Sequence, residues 1–267
     1  MQRPPAHLLA SVAVLAALSV GGCSTTAGTG SDTTGSIATD AAPRSNVQWR
    51  QEMDSWGNRY RANPADPEAA VNYAQALRAV GQRAQAAAVL EQAAIHNQDN
   101  RVVLGAYGRA LADTGAYQQA LEVLNRAHTQ DQPDWRILSV QGAVLDQMGR
   151  HTDAQRYYAS ALRLMPDEPS VLSNLGLSYA LSKKLPEAET TLRRAAAQSR
   201  AEPKVRQNLA LVVGLQGRFQ EAETIAKGDL SPAEAATNVA YLRQMLAQQG
   251  QWKNNKNGSP LVPATGS

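Results

Sequence analysis

The chain has 267 residues, 26 Lys and Arg against 23 Asp and Glu, a formal net charge of +3 and one cysteine, Cys23. A single cysteine excludes an internal disulfide and, with no other ligand close in sequence, a cysteine-based zinc site. No block of Lys and Arg interleaves with aromatics, so there is no nucleic-acid footprint despite a sequence pI near 9.1.

The first element is short. Met1 to His7 carries Arg3, and Leu8 to Val20 (LLASVAVLAALSV) is almost continuously apolar. These 13 residues match the core of an export signal and fall short of the roughly 20 that span a bilayer as a helix. Val20-Gly21-Gly22-Cys23 comes next, an aliphatic residue and two small ones before the cysteine. This resembles the lipobox of bacterial lipoproteins. The resemblance implies a signal peptide at 1–22, cleavage before Cys23, and lipid on its thiol and new amino group. One acyl chain holds a protein to a membrane marginally, and two or more hold it stably. Ser24 stands where Asp would favour inner-membrane retention, so the family rule points to the outer membrane, facing the periplasm.

Residues 23–45 are rich in Ser, Thr, Gly and Ala and show no apolar period. Such a segment cannot bury enough surface to offset its ordering entropy, and it reads as a flexible tether. Removing Arg3 with the signal leaves 25 basic residues against 23 acidic, a net of +2.

The folded part starts at 46. In 46–66, Trp49, Met53, Trp56 and Tyr60 recur at three to four residues, which predicts a capping helix, a degenerate repeat laying its aromatics on the first full repeat. A 34-residue grid then begins. Gly81, Gly115, Gly149 and Gly217 share one slot, with Lys183 in the fourth unit. Ala86, Ala120, Ala154, Ala188 and Ala222 share a second slot, and Ala93, Ala127, Ala161 and Ala195 a third. The units 67–100, 101–134, 135–168, 169–202 and 203–236 stack without insertion. This resembles the tetratricopeptide repeat, a pair of antiparallel helices every 34 residues. The resemblance implies an all-α, right-handed superhelical solenoid of about five repeats, 67–236, plus capping helices.

Within each unit the grid glycine ends the first helix, where a left-handed residue is needed. Lys183 breaks that rule and predicts a less ideal turn. Gly108, Gly142 and Gly176 remove bulk where paired helices approach. After the repeats, Ser231-Pro232-Ala233-Glu234 reads as a helix start, and a helix over 233–248 would cover the last repeat with Val239, Leu242 and Met245. The tail 249–267 is polar, contains proline and reads as disordered.

No enzyme constellation is legible. His96, His128 and His151 lie near different second helices at no metal-ligand spacing and read as exposed surface histidines. No phosphate loop follows a strand and no nucleophile sits in a turn context, so no catalytic residue, metal or cofactor is assigned. Function falls to surfaces. The family resemblance implies that unit positions 2, 5, 9, 12 and 13 face a concave groove. In the early units these give Gln75, Arg78, Arg109 and Asp113; in the late units they give Leu177, Leu181, Leu211 and Leu215. Asn72, Asn174 and Asn208 share position 6, where asparagine could bond a bound peptide backbone. The leucines suit an apolar peptide or amphipathic helix, unless the helix over 233–248 folds back over them.

One stretch carries a narrower resemblance. VRQNLALVVGLQGRFQEAETIAKGDLSPAEAATNVAYLRQML (205–246) resembles the C-terminal end of the Flp/Tad (type IVb) pilus assembly tetratricopeptide lipoproteins, the TadD-like family. The lipobox, tether and repeat count match them as well. That resemblance implies a scaffold for the pilus secretion machinery, with a pilotin-like role and protein partners such as the secretin. The alternative is a general periplasmic adaptor for cell-envelope enzymes.

Overall fold

Side chains placed on the grid start the helices. In a computed structural model, which describes residues 45–129 and 131–257, Asp66, Asn100, Asp134 and Glu168 each accept a hydrogen bond from a backbone N–H of the adjoining helix. Pro67, Pro169 and Pro203 occupy first helical positions, where no N–H is needed. The described residues form twelve helices and no strand.

Helix α1 (Asn46–Ala62) precedes five helical pairs: α2 (Pro67–Ala79) with α3 (Arg83–His96), α4 (Arg101–Asp113) with α5 (Tyr117–Arg126), α6 (Trp135–Gln147) with α7 (His151–Leu164), α8 (Pro169–Leu181) with α9 (Leu185–Ala196), and α10 (Pro203–Leu215) with α11 (Phe219–Ala226). Helix α12 (Pro232–Asn257) closes the order. The expected signal segment (1–22), Cys23, the expected tether up to Arg44 and the last ten residues lie outside the described residues. No described helix is long and apolar enough to cross a membrane.

The turn inside each pair is closed the same way. Gly149 has φ +74° with open space around it, and Arg150 N–H donates to the carbonyl of Leu145 at 2.9 Å. This is the six-to-one bond of a Schellman turn. Lys183 adopts φ +63°, and Lys184 N–H reaches the carbonyl of Tyr179 at the same 2.9 Å. The turn expected to be irregular therefore keeps its hydrogen bonds. The departure from glycine is carried as strain in the backbone of Lys183.

The core runs down the stack. Leu77, Leu90, Leu104, Leu124, Leu172 and Leu192 are fully buried, each worth about 2–3 kcal/mol in removed apolar surface. Close helix pairing depends on the missing side chains. A Cβ on Gly142 would stand 2.6 Å from the ring of the buried Tyr158. Helix α1 lays Met53, Trp56 and Tyr60 on the first cluster, with the Tyr60 and Tyr73 rings 5.7 Å apart.

At the other end, Ser231 caps α12 through a reciprocal pair of bonds with Glu234. The helix continues nine residues past Gln248, to Asn257. Gly250 is tolerated within it, and the next strong stop in the sequence is Gly258-Ser259-Pro260. Helix α12 packs on α10 and α11, and among the described residues its backbone approaches no earlier helix. Ala235 joins Ala210 and Ala226, Val239 joins Leu209 and Val213, and Leu242 lies against Gly214. It therefore extends the stack as the first helix of a sixth unit would, and it does not fold back over α8.

Candidate functional site

The first helices of the units present successive side chains to one face. Between α4, α6 and α8 that face dips into a cleft of about 570 Å³. Arg109, Ala112 and Asp113 come from α4, Tyr117 from the first turn of α5, Trp135, Arg136, Ser139, Ala143 and Gln147 from α6, and Ser170 and Asn174 from α8. Position 9 is Arg109 in the second unit and Leu177 in the fourth, but Ala143 in the third. In the cleft lining a methyl at Ala143 stands where the second unit has the long side chain of Arg109.

The residues named from sequence divide into three sets. Arg78 and Asp113, on α2 and α4, form an ion pair across the first two units, each about 30% exposed. Gln75 and Arg109 stand exposed on the same face. Arg109 is open to water at its surface yet enclosed by the groove walls. Loss of surrounding solvent, and then the charge of Arg78, lowers its pKa from the ordinary arginine value. The leucines lie further along: Leu177, Leu211 and Leu215 are half-buried and Leu181 is 43% exposed. Within α8 and within α10 the pairs stand four residues apart, on one helical face. Asn174 and Asn208 donate to the hydroxyls of Ser139 and Ser173, each on the preceding unit, at 3.4 and 2.9 Å. Their amide donors link neighbouring repeats.

Sequence reasoning names nothing on α6, although the same positional rule gives Arg136, Ser139, Ala143 and Gln147. Trp135 stands at position 1, outside the rule, and carries the Arg136 guanidinium over its ring at 4.5 Å. Asp146, at position 12, does not face the cleft. Its side chain is only 8% exposed and accepts bonds from His151 Nδ1 and Ser178 Oγ, both at 2.8 Å, and from Tyr158 Oη at 3.1 Å. Burial, and then the Asp146 charge, pushes the Tyr158 phenol pKa up.

Two histidines correct the surface reading. His151 is bonded to Asp146. His128 lies in the loop after α5, with Nε2 3.1 Å from the Oε1 of the fully buried Gln141. His96 is exposed at the end of α3. Arg193 bridges Glu189 and Glu221, and Arg194 holds Asp167 and the carbonyl of Pro166, each joining adjacent units. Among the described residues no group of three His, Cys, Asp or Glu could hold a metal ion.

Two tetratricopeptide-repeat family profiles match, one over 77–143 and one over 140–203. No curated protein matches in sequence. Among solved structures, the chain is similar to a chain of the APC/C hetero-tetramer Cut9-Hcn1 (TM-score 0.62, 13% identity), covering 75% of this chain and 40% of that one. It therefore spans about two fifths of that chain's length. It is similar to PilW, described as a widely conserved type IV pilus biogenesis factor (TM-score 0.62, 15% identity, 72% of this chain and 91% of that). It is also similar to PilF of Pseudomonas aeruginosa (TM-score 0.52, 17% identity, 67% and 82%). With the helical pairs, the glycine turns and both profiles, residues 77–203 belong to the tetratricopeptide-repeat family, and the described chain is an all-α solenoid of that kind.

Proposed function

We propose that this protein is a membrane-anchored adaptor that holds a protein partner in its concave groove and supports assembly of a Tad (Flp/type IVb) pilus machine. The observation that carries the adaptor reading is the groove itself. Gln75, Arg109 and Leu181 are exposed on it, the other named side chains are partly exposed, and α12 packs on α10 and α11 rather than on α8. A solenoid of stacked pairs has a long concave surface for such capture.

The finer parts rest on sequence. Val20-Gly21-Gly22-Cys23 and the sole cysteine support a lipid anchor on Cys23, and Ser24 supports the outer membrane. The segments NLALVVGLQGRF and NVAYLRQML support the pilus assignment through their resemblance to the TadD-like family. PilW is a type IV pilus biogenesis factor by description, and at 15% and 17% identity PilW and PilF speak to the fold. Confinement by lipid and tether would raise the effective concentration of the groove near a partner such as the secretin.

The test is a deletion strain complemented with wild type or with Cys23→Ser, scored for surface pili, for secretin multimers and for membrane-bound protein. Pili restored only by the wild type, with the Cys23→Ser protein released from the membrane fraction, is the expected result. Normal pili in the deletion would remove the pilus role. Membrane retention of Cys23→Ser would remove the lipid anchor.

A further inference from the structure

The centre of the groove holds two guanidiniums that the fold does not use. Arg109 on α4 and Arg136 on α6 line the same cleft, and neither has a carboxylate within ion-pair distance among the described residues. The nearby carboxylates are committed. Asp113 is held by Arg78, and Asp134 caps α6 by accepting the backbone N–H of Arg136 at 2.7 Å. Arg109 thus lies near two other guanidiniums, Arg78 and Arg136, and two carboxylates, Asp113 and Asp134, and of these groups Arg109 and Arg136 line the cleft without an ion-pair partner among the described residues. Stacking on Trp135 orients the Arg136 plane and leaves the N–H donors at its edge. Arginine forks match carboxylates in bidentate geometry, and enclosure strengthens the bond.

We propose that this cleft takes side-chain carboxylates of an acidic peptide segment in a protein partner, bound by Arg109 and Arg136, while apolar residues of the same segment lie on Leu177 and Leu211. The occupant is argued from charge and position. Repeats continue on both sides of the cleft, so an extended chain crosses it and presents side chains there, not a terminus. The adjacent leucines extend the site with apolar surface in the direction of the fourth and fifth units. This inference rests on the adaptor reading of the groove and adds the chemistry of its occupant.

The experiment uses the purified full chain and two fluorescein-labelled decapeptides with blocked ends. Both carry the same leucines; one has three Asp or Glu residues, the other Asn or Gln in their place. Fluorescence polarisation is expected to show the acidic probe binding at least about tenfold tighter at low salt, with the gap closing as salt rises. Arg109→Gln with Arg136→Gln is expected to bring the probes within about twofold of each other, and the Lys pair to retain part of the preference. Equal binding of the two probes, or a preference that survives the Gln pair, overturns the inference. Equal binding that Leu177→Glu with Leu211→Glu abolishes would leave the groove reading standing and the carboxylate site fallen. No binding of either probe at about 1 mM would overturn both. Should the Gln pair lose its helical circular dichroism, the salt response of the wild type decides: a fall confined to the acidic probe supports the site, and equal responses contradict it.

Discussion

Ser178 Oγ on α8 donates to Asp146 Oδ1 on α6 at 2.8 Å, across the boundary between the third and fourth repeats. The same carboxylate holds His151 and Tyr158 of α7, so one mostly buried charge ties three helices together. Removing it orphans several donors, whereas removing one donor leaves the carboxylate two partners. Asp146→Ala is expected to cost about 3 kcal/mol and Ser178→Ala about 1 kcal/mol. Urea unfolding of both variants checks this, and equal losses would show that Asp146 is not the hub.

Lys183 occupies a left-handed turn position that the other four units fill with glycine. Lys183→Gly removes the strain while keeping the turn bonds, and is expected to stabilise by about 0.5–1 kcal/mol. Gly149→Ala, which meets no neighbour but takes φ +74°, is expected to destabilise by about 1 kcal/mol. Opposite shifts in melting temperature are the check; shifts of the same sign would contradict the strain account.

Glu189 supplies a pH dependence. Its carboxyl is pulled down to about 2, chiefly by the Arg218 hydrogen bond and against burial, which opposes it, with Gln216 and Arg193 adding to the pull. A folded-state pKa below the unfolded one gives stability that is complete above about pH 4.5 and is lost as pH falls toward 2. Glu189→Gln is therefore expected to unfold more easily than wild type at pH 7, with the difference shrinking between about pH 4.5 and 2. A difference that is constant with pH would show that the contribution is not ionic.

The groove leucines can be separated from the core. Leu177 and Leu211 are half-buried, while Leu172 and Leu209 on the same helices are within 5% of full burial. Leu177→Glu with Leu211→Glu is expected to keep the helical circular dichroism while abolishing capture of the acidic, leucine-bearing decapeptide. Leu172→Ala is expected to lower stability by about 2–5 kcal/mol. If the glutamate pair unfolds the chain, those leucines belong to the core.

The repeat architecture is legible in the sequence because each unit repeats its own constraints: a cap before the first helix, glycine at the turn, alanine at the crowded contact. Such features are local, and a single sequence displays them at fixed spacing. The cleft is less legible. It includes Ala143, a residue with no chemistry of its own, beside Arg109 brought in from the preceding unit and Arg136 from another position of the same unit. The pairing of Asn208 with Ser173, and of Ser178 with Asp146, depends on how one unit's helices meet the next. No periodicity within a unit encodes that contact. The same limit hides the contacts of Arg193 and Arg194, each of which spans a repeat boundary. Helix α12 exceeds the length expected from sequence because the polar composition at 249–257 suggests disorder, although the segment lacks a strong helix stop.

The central claim is that a protein partner lies in the concave groove. Site-specific photo-crosslinking in cells tests it most directly, with the photoreactive residue placed at Ala143 or Gln75 in the groove, or at Ile95 or Leu164, exposed on second helices of the stack. The account predicts one discrete adduct from the groove positions, none from Ile95 or Leu164, and loss of the adduct with Leu177→Glu and Leu211→Glu. Adducts only from Ile95 or Leu164, or groove adducts indifferent to the leucine changes, would contradict it.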